Sequence, residues 1–323
     1  MSRIGIIGGG AFGTAMACVA RRSGHDVRLW AREPEVVAAI NREVRNPQFL
    51  DRVELPRGIA ATGRLGDAVE DAELVLLAPP AQHMRAVSSA LRDELASGTP
   101  VVSCSKGIER DSLALMPEVL KDTLPRSPVA VLSGPSFARE IARELPCGVA
   151  LACADAALAA RLARALANPG FRVHATTDVT GAALGGVMKN VIAIASGIAA
   201  GRKLGENARA TLLTLGLKET MDLGSAKGAR PDTFMGLAGV GDLTLTANSL
   251  TSRNTALGFA LGETGRLPQG GALSEGLYST AAVAKLAREL GVPMPITFAL
   301  DGVLNRGAPL DAAMAAMLAA AGY

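Results

Sequence analysis

The hydrophobic pattern of the first half of the chain alternates between short apolar runs and amphipathic stretches of helical length. We predict strands at the apolar runs 3–7, 26–31, 59–62, 74–78, 101–104, 129–133, 149–152 and 171–175. Helices are predicted between most of them, for example over residues 11–23, 82–95 and 156–167. Such alternation indicates a parallel sheet that is covered by helices on both faces.

After Thr177 the strand pattern stops. The periodicity of the apolar positions predicts helices over residues 178–203, 206–226, 251–262, 276–290, 295–306 and 310–320. Glycine-rich connections at 236–241 and 262–271 separate some of them. This change of pattern predicts two domains, residues 1–177 and 178–323.

Composition restricts the class of protein. A chain of 323 residues favours two domains, and its hydrophobic fraction of 49% is enough for a large core. Aromatic residues make up only 3%, so Ala, Val, Leu and Ile must fill that core. The net charge is +3 with no block of Lys and Arg, which argues against nucleic acid as a partner.

Targeting and metal signals are also weak. The stretch 181–201 is apolar, but a lysine in mid-membrane costs about 2.5–3.5 kcal/mol, so we predict a core helix and no membrane span. The N-terminus lacks the pattern of a signal peptide. The four cysteines have no metal-ligand spacing. We therefore expect a cytoplasmic protein without a metal site.

A glycine-rich turn follows the first predicted strand. The run Gly8-Gly9-Gly10-Ala11-Phe12-Gly13 fits the pattern GxGxxG and opens the first predicted helix. In a βαβ unit Gly8 permits the tight turn, Gly10 lets the backbone approach a pyrophosphate, and Gly13 allows close helix–strand packing. Backbone N–H groups at the helix start supply the anion site. We therefore predict an α/β fold, with a Rossmann-type doubly wound sheet before an all-α substrate domain.

Arg32 stands near the end of the second predicted strand, where the sequence reports on the ribose of a dinucleotide. An NAD-specific site places a carboxylate there to bind the 2′-hydroxyl, whereas an arginine suits a 2′-phosphate. Glu33, the next residue, could still bind the hydroxyl. The sequence thus favours NADP and leaves NAD open. A solvated loop residue is the alternative interpretation of Arg32.

Lys189 is a lone cation in an otherwise apolar predicted helix. Helical side chains lean toward the N-terminus, so Gly185 and Gly186, one turn earlier, leave room beside its ammonium group. A partly desolvated lysine has a lowered pKa and exchanges a proton near neutral pH. We predict proton transfer by Lys189. The alternative is a lysine whose stem extends to the surface.

Two polar segments of the second domain accompany this lysine. Asp242 follows a glycine-rich turn, and the sequence leaves open whether it orients Lys189 or caps the turn. The triplet Ser252-Arg253-Asn254 has the pattern of a helix start, with Thr251 or Ser252 as N-cap. Its donors suit a phosphate group, although a capped surface helix gives the same pattern.

Two loops of the first predicted domain are expected beside the same ligand. In open parallel sheets, ligands gather at the carboxyl ends of the strands. The run Ser105-Lys106-Gly107 follows the fifth strand and adds a second cation. After the sixth strand, Gly134 and Ser136 offer a close backbone approach and a hydroxyl group.

These blocks resemble the bacterial NAD(P)-dependent glycerol-3-phosphate dehydrogenase family over essentially the whole chain. The matching blocks are GGGAFGTA at 8–15, SKGIE at 105–109, GPSFARE at 134–140, KNVIAIASG at 189–197, GLAGVGDLTLT at 236–246, SRN at 252–254 and the segment around Glu275. Small departures occur at Ala11, where serine is commoner, and in the turn at 79–83.

The resemblance implies a role for each matching residue. Lys189 would be the catalytic proton donor and acceptor at the substrate oxygen. Residues implied to contact the substrate are Lys106, Gly134, Ser136, Lys189, Asp242, Ser252, Arg253 and Asn254. Residues implied to line the cofactor are Gly8, Gly10, Ala11, Phe12, Gly13, Arg32, Lys106, Ala138, Arg253, Leu273 and Glu275.

The function implied by the resemblance is reversible hydride transfer. NADPH or NADH would reduce dihydroxyacetone phosphate to sn-glycerol 3-phosphate, which supplies glycerophospholipid synthesis. A small phosphorylated substrate is the expected partner, and a homodimer is compatible with the resemblance. Two alternatives stay open: another two-domain dehydrogenase acting on a hydroxyacid or ketopantoate, and a non-catalytic NAD(P)-sensing regulator. The regulator could keep the glycines without Lys189 and Asp242.

Overall fold

The computed structural model describes residues 2–268 and 275–319, and the chain divides into two compact units. The first unit comprises Met1–Ser105 and Met116–Val179, and the second comprises Lys106–Leu115 and Thr180–Tyr323. The chain therefore leaves the first unit after the fifth strand, contributes residues 106–115 to the second, and returns. The sequence predicts this segment as a loop of the first domain. Nothing in the local pattern signals the excursion, and the domain boundary near residue 177 stays a prediction.

One eight-stranded sheet forms the frame of the first unit. Its strands are β1 (Arg3–Ile7), β2 (Asp26–Trp30), β3 (Ile59–Thr62), β4 (Leu74–Leu77), β5 (Val101–Ser103), β6 (Val129–Ser133), β7 (Cys147–Cys153) and β8 (Phe171–Thr176). They follow the order β3-β2-β1-β4-β5-β6-β7-β8. From β1 the chain builds the sheet outward to β3 on one side and then continues with β4 on the other side, so the order of the strands switches between the parallel neighbours β1 and β4. In such a sheet the ligand binds outside the carboxyl ends of the strands at this switch.

Strand direction departs from the prediction at one edge. The strands β1 to β6 are parallel, but β7 pairs with β6 in the antiparallel sense, and β8 then runs parallel to β7. A parallel crossover needs a connection long enough to return the chain to the same end of the sheet. The connection from β6 to β7 contains one helix of five residues, Ala138–Ala142, and the chain enters β7 at the end of the sheet where β6 finishes.

Helices cover this sheet and confirm the predicted α/β fold. They are α1 (Ala11–Arg22), α2 (Pro34–Glu43), α3 (Leu65–Val69), α4 (Met84–Ala90), α5 (Met116–Thr123), α6 (Ala138–Ala142) and α7 (Ala156–Leu166). The helix predicted over 82–95 is shorter than expected. After α4 the chain continues as a series of turns, with hydrogen bonds such as Glu94 N–H to the Leu91 carbonyl. The last predicted apolar positions, Leu91 and Leu95, lie in these turns and are still buried. Apolar spacing alone does not separate such turns from a helix.

The second unit is helical. Its helices are α8 (Val179–Gly201), α9 (Gly205–Ala226), α10 (Pro231–Phe234), α11 (Asp242–Ala247), α12 (Arg253–Thr264), α13 (Glu275–Glu289), α14 (Pro295–Arg306) and α15 (Leu310–Ala319). The sequence missed α10, α11 and the π-helical turn Leu237–Gly241 between them. These pieces are too short for a periodic pattern, and their glycines predict a loop.

Helix α8 forms the centre of the second unit. It is long and apolar enough to cross a membrane, yet 89% of its most apolar window is buried inside the protein. Glycines allow α12 to pack closely on it: a Cβ atom at Gly197 would lie 2.3 Å from the Thr255 carbonyl oxygen, and one at Gly258 2.1 Å from that of Ile194. The predicted core helix is therefore confirmed, and Lys189 lies within it.

Candidate active site

Lys189 projects from the middle of α8 toward the start of α11. Its Nζ donates to Oδ1 of Asp242 at 2.5 Å and to Oγ1 of Thr246 at 3.0 Å. The lysine side chain is 11% exposed and that of Asp242 is fully buried. Lys189 therefore does not extend to the surface, and its ammonium group is held by a carboxylate and a hydroxyl.

Gly185 has a different role from the predicted one. A Cβ atom at this position would lie 2.1 Å from the backbone oxygen of Ala238, within the π-helical turn. The space that the glycine leaves is thus filled by backbone of that turn and is not open beside the ammonium group. Gly185 allows the turn to pack against α8, and this contact places Asp242, the first residue of α11, near Lys189.

A second lysine shares the same carboxylate. Lys106, from the segment 106–115 of the second unit, donates from Nζ to Oδ2 of Asp242 at 2.6 Å. Each oxygen of Asp242 therefore binds one ammonium group. The sequence left two roles open for Asp242, and the structure places its carboxylate between Lys106 and Lys189. Two cations against one anion give this cluster a net positive charge.

Burial tunes the proton affinity of this cluster. Desolvation lowers the pKa of Lys189 to about 8, with Lys106 acting in the same direction and Asp242 opposing it. Burial alone would raise the pKa of Asp242, but the two ammonium groups hold it below its ordinary value. Asp242 is thus ionised near neutral pH, and Lys189 can release or accept a proton there.

Helix α11 is fixed at its carboxyl end by residues that the sequence did not suggest. The Ala247 carbonyl accepts from the hydroxyl of Ser196 and from the guanidinium of Arg209, both at 3.2 Å. Arg209 also donates to Oδ1 of Asn248 at 3.0 Å. Thr246, one turn after Asp242, was missed as well, although a spacing of four residues places both on one helix face.

An amide relay connects the backbone of Lys106 to two helices. Nδ2 of Asn190 donates to the Lys106 carbonyl at 3.2 Å, and Oδ1 of Asn190 accepts from Nδ2 of Asn254 at 2.8 Å. Oδ1 of Asn254 accepts from the Gly276 N–H at 3.0 Å. The Asn254 side chain, which the sequence predicts to bind substrate, thus forms hydrogen bonds with Asn190 and Gly276. A direct contact between Asn254 and substrate stays a prediction.

The predicted helix start at 252–254 is present. Ser252 is the N-cap of α12, and its Oγ accepts from the Thr255 N–H at 3.3 Å. Arg253, the first helical residue, is exposed. Since α12 has no acidic residue in its first turn, its N-terminal dipole and Arg253 leave this end positive.

The glycine-rich turn lies in the first unit, between β1 and α1. A Cβ atom would strike backbone oxygen at two positions: at Gly8, 2.9 Å from Ala78, and at Gly13, 1.8 Å from Gly8. At Gly10, in contrast, a Cβ atom would meet nothing within 4 Å. Gly10 is the N-cap of α1, without a side-chain cap. This open space at a helix N-terminus fits the pyrophosphate of a dinucleotide.

Arg32 and Glu33 follow β2 on the same unit. The Arg32 side chain is 78% exposed and pairs through Nη2 with Oε1 of Glu33 at 3.0 Å. The two groups that the sequence offers to the ribose therefore form an ion pair with each other. The role of Arg32 toward a 2′-phosphate stays a prediction.

The other predicted residues lie at several places in the fold. Gly134 and Ser136 follow β6, where Gly134 adopts φ +141° and its carbonyl accepts from the Ser136 hydroxyl at 2.7 Å. Ala11 and Phe12 start α1, Ala138 starts α6, and all three pack against the core of the first unit. Glu275 starts α13 in the second unit, and Leu273 lies outside the described residues.

A doubly wound sheet with a dinucleotide turn, followed by a helical unit that carries a low-pKa lysine, is typical of two-domain NAD(P)-dependent dehydrogenases. The family models of the NAD-dependent glycerol-3-phosphate dehydrogenase N-terminus and C-terminus match residues 3–159 and 178–315. The chain therefore belongs to the NAD-dependent glycerol-3-phosphate dehydrogenase family.

Relatives of known name agree with this assignment. The chain is 49% identical over 322 residues to glycerol-3-phosphate dehydrogenase [NAD(P)+] of Rhodospirillum rubrum, covering 98% of this chain and 92% of the relative. It is 49% identical over 320 residues to the Caulobacter vibrioides protein of the same name, covering 98% and 96%. The crystal structure of glycerol-3-phosphate dehydrogenase from Coxiella burnetii superposes with a TM-score of 0.92 at 36% identity, covering 98% of each chain.

Proposed function

We propose that this protein is an NAD(P)-dependent enzyme that reduces dihydroxyacetone phosphate to sn-glycerol 3-phosphate, reversibly. The observation that carries the chemistry is Lys189, buried in α8 with a pKa lowered to about 8 and bonded to Asp242 and Thr246. A lysine with this pKa can serve as a general acid and base in the physiological range.

In the proposed reaction, the reduced nicotinamide, when bound, supplies a hydride to C2 of the ketone. Lys189 donates a proton from Nζ to the oxygen on C2, so that carbonyl, hydride and proton together give the secondary alcohol. Asp242 and Thr246 orient the ammonium group through its other hydrogens. In the reverse direction, neutral Lys189 accepts the proton of the hydroxyl group.

Charge supports a phosphorylated substrate. Lys106 and Lys189 share one carboxylate and leave a net positive charge, and the positive start of α12 with Arg253 belongs to the same unit. Binding energy at the phosphate would position the remote carbonyl for reduction. We therefore propose substrate roles for Lys106, Asp242 and the triplet Ser252-Arg253-Asn254, as well as for Gly134 and Ser136 in the first unit.

Unphosphorylated dihydroxyacetone provides the test of this function. We expect its kcat/KM to be at least about a hundredfold below that of dihydroxyacetone phosphate, because the phosphate contacts are lost. At saturating NADPH, which offsets any loss of a cofactor contact, Arg253→Ala should lower activity on the phosphorylated ketone and barely change the residual rate on dihydroxyacetone. Asn254→Ala is a poor probe, since it disconnects Asn190 from Gly276. Equal rates on both ketones, or preferred reduction of ketopantoate, would favour the alternative dehydrogenase.

Cofactor preference depends on Arg32 in this proposal. If its guanidinium binds the 2′-phosphate, Arg32→Ala should weaken NADPH roughly ten- to a hundredfold and NADH far less, because a charge-assisted hydrogen bond contributes about 1.5–3 kcal/mol. Fluorescence titration of each reduced cofactor measures both dissociation constants. Arg64→Ala is a matched control, since Arg64 also has a largely exposed side chain on the same unit. Equal losses for NADPH and NADH would remove Arg32 from the 2′-phosphate.

The remaining expectations concern the cell. We propose a cytoplasmic enzyme whose product is consumed in glycerophospholipid synthesis, and NADP or NAD as cofactor. The partner is a small phosphorylated substrate, and a homodimer stays a prediction that light scattering can test. Cofactor contacts by Ala11, Phe12, Ala138, Leu273 and Glu275 are likewise proposed.

A further inference from the structure

The turn between β1 and α1 is supported from behind by two polar side chains that the proposed chemistry does not use. Asn46 and Thr14 each have an exposed fraction of 0%. Thr14 lies in the first turns of α1, whereas Asn46 lies in the connection between α2 and β3. Both belong to the first unit, as does the glycine-rich turn.

The amide of Asn46 uses both of its N–H groups at this turn. Nδ2 donates to the carbonyl oxygen of Gly9 and to Oγ1 of Thr14, each at 2.8 Å. The hydroxyl of Thr14 donates in turn to the same Gly9 oxygen at 3.2 Å. Oδ1 of Asn46 accepts from the Phe49 N–H at 3.4 Å, which fixes the amide plane. One backbone carbonyl is therefore held by two buried side chains.

The geometry of the peptide bond carries this constraint to the other side of the turn. The Gly9 carbonyl and the Gly10 N–H belong to one planar peptide unit, which is trans. In a trans unit the C=O and N–H bonds point in opposite directions. A carbonyl fixed on the Asn46 side therefore directs the Gly10 N–H away from it. Gly10 is the N-cap of α1, the end of the helix that attracts a phosphate.

Glycine makes this support necessary. A run of three glycines permits many backbone conformations, and without side-chain contacts the Gly9–Gly10 peptide could rotate. Fixing it before the ligand arrives removes an entropic cost from binding. Asn46 and Thr14 supply such contacts, and they do so from the buried side.

We propose that Asn46 and Thr14 are positioning residues for the cofactor, which hold the Gly9 carbonyl so that the Gly10 N–H faces the diphosphate of NADPH or NADH. This inference rests on the proposed cofactor binding. Neither side chain contacts the cofactor itself. Their effect is on affinity, through the direction of one backbone donor.

Substitutions at Thr14 separate this role from packing. Thr14→Val keeps the volume and removes the hydroxyl, whereas Thr14→Ser keeps the hydroxyl. We expect Thr14→Val to raise the Kd of NADPH roughly three- to tenfold, as the loss of a hydrogen bond predicts, and Thr14→Ser to stay within about twofold. The Kd is measured by nicotinamide fluorescence without substrate. In turnover, the loss should appear in the KM for NADPH, with kcat at saturating NADPH unchanged.

Asn46→Ala removes both donors and should raise the Kd roughly ten- to a hundredfold. Asn41→Ala is the control, since Asn41 makes two similar amide bonds to the backbone of Ala61 in the same unit. Its Kd should equal that of the wild type. Circular dichroism and the melting temperature report folding for each variant. If Asn46→Ala does not fold, the Thr14→Val and Thr14→Ser pair decides.

The proposal is overturned if Thr14→Val binds NADPH as tightly as Thr14→Ser. A fall in melting temperature with an unchanged Kd would likewise assign both residues to stability alone. These results are independent of the reaction, because no ketone is present. If dihydroxyacetone phosphate is not reduced but the Kd values change as expected, the proposed function fails and this inference stands.

Discussion

Replacing Lys189 with methionine is expected to lower kcat for dihydroxyacetone phosphate by at least about a hundredfold, which is the lower end of the range for loss of a general acid. Methionine keeps most of the stem that packs within α8 but carries no proton. Cofactor affinity should stay near that of the wild type, because Lys189 is assigned to the substrate oxygen and not to the cofactor. Steady-state kinetics at saturating NADPH, with a separate NADPH titration, checks both statements.

The matched control for this variant is Lys218→Met. Lys218 lies on α9 in the same unit, and its ammonium group pairs with Asp222 at 2.6 Å from a side chain that is 69% exposed. The Lys218→Met variant should reduce the ketone with the kcat of the wild type. An unchanged kcat in Lys189→Met, with a folded protein, would show that another group delivers the proton.

Asp242→Asn is expected to have the second large effect. The substitution preserves shape but leaves Lys106 and Lys189 without their shared anion. Removing one partner of a buried ion pair costs up to about 3–5 kcal/mol of unfolding free energy, a limit reached when the remaining charge stays desolvated and not when Lys189 loses its proton. The melting temperature should therefore fall, and kcat should fall with it, since the ammonium group loses its strongest orienting contact. Thermal unfolding and kinetics measure the two effects.

Asp242→Asn should also shift the pH dependence of the reduction rate in a defined direction. In the proposed mechanism reduction needs protonated Lys189, so the wild-type rate should fall above about pH 8, the pKa of Lys189. Asp242 raises that pKa, and its removal should move the alkaline limb to lower pH by about 1–3 units, the usual effect of a close opposite charge. Asp222→Asn, which removes the exposed partner of Lys218, should leave the profile in place. A profile in Asp242→Asn equal to that of the wild type would contradict the assignment.

Much of this architecture could be predicted from the sequence, because its determinants are local. Short apolar runs gave the strands of the sheet within a few residues, and the glycine spacing gave the turn after β1. The buried cation of α8 was visible as a charge in an apolar helix, and Ser252 as an N-cap. Each of these features depends on neighbours within one or two turns of the chain.

The remaining features depend on residues distant in sequence. Thr246 and Arg209 acquire their roles only when α11 packs against α8 and α9, and no spacing rule identifies that pairing. Asn46 is a single asparagine in the connection between α2 and β3, and its role arises only when the fold brings it to Gly9. The hydrophobic pattern does not report strand direction, so the antiparallel pairing of β7 with β6 could not be predicted.

The excursion of residues 106–115 has a consequence for recombination between relatives. Lys106 pairs with Asp242 within the second unit, although the strands and helices on both sides of this segment belong to the first. A chimera joined once, near residue 177, would inherit Lys106 from one parent and its carboxylate partner from the other. Two further junctions, one on each side of 106–115, keep the charge cluster from a single parent. An exchange of cofactor-binding modules thus needs three crossovers to keep Lys106 and Asp242 from the same parent.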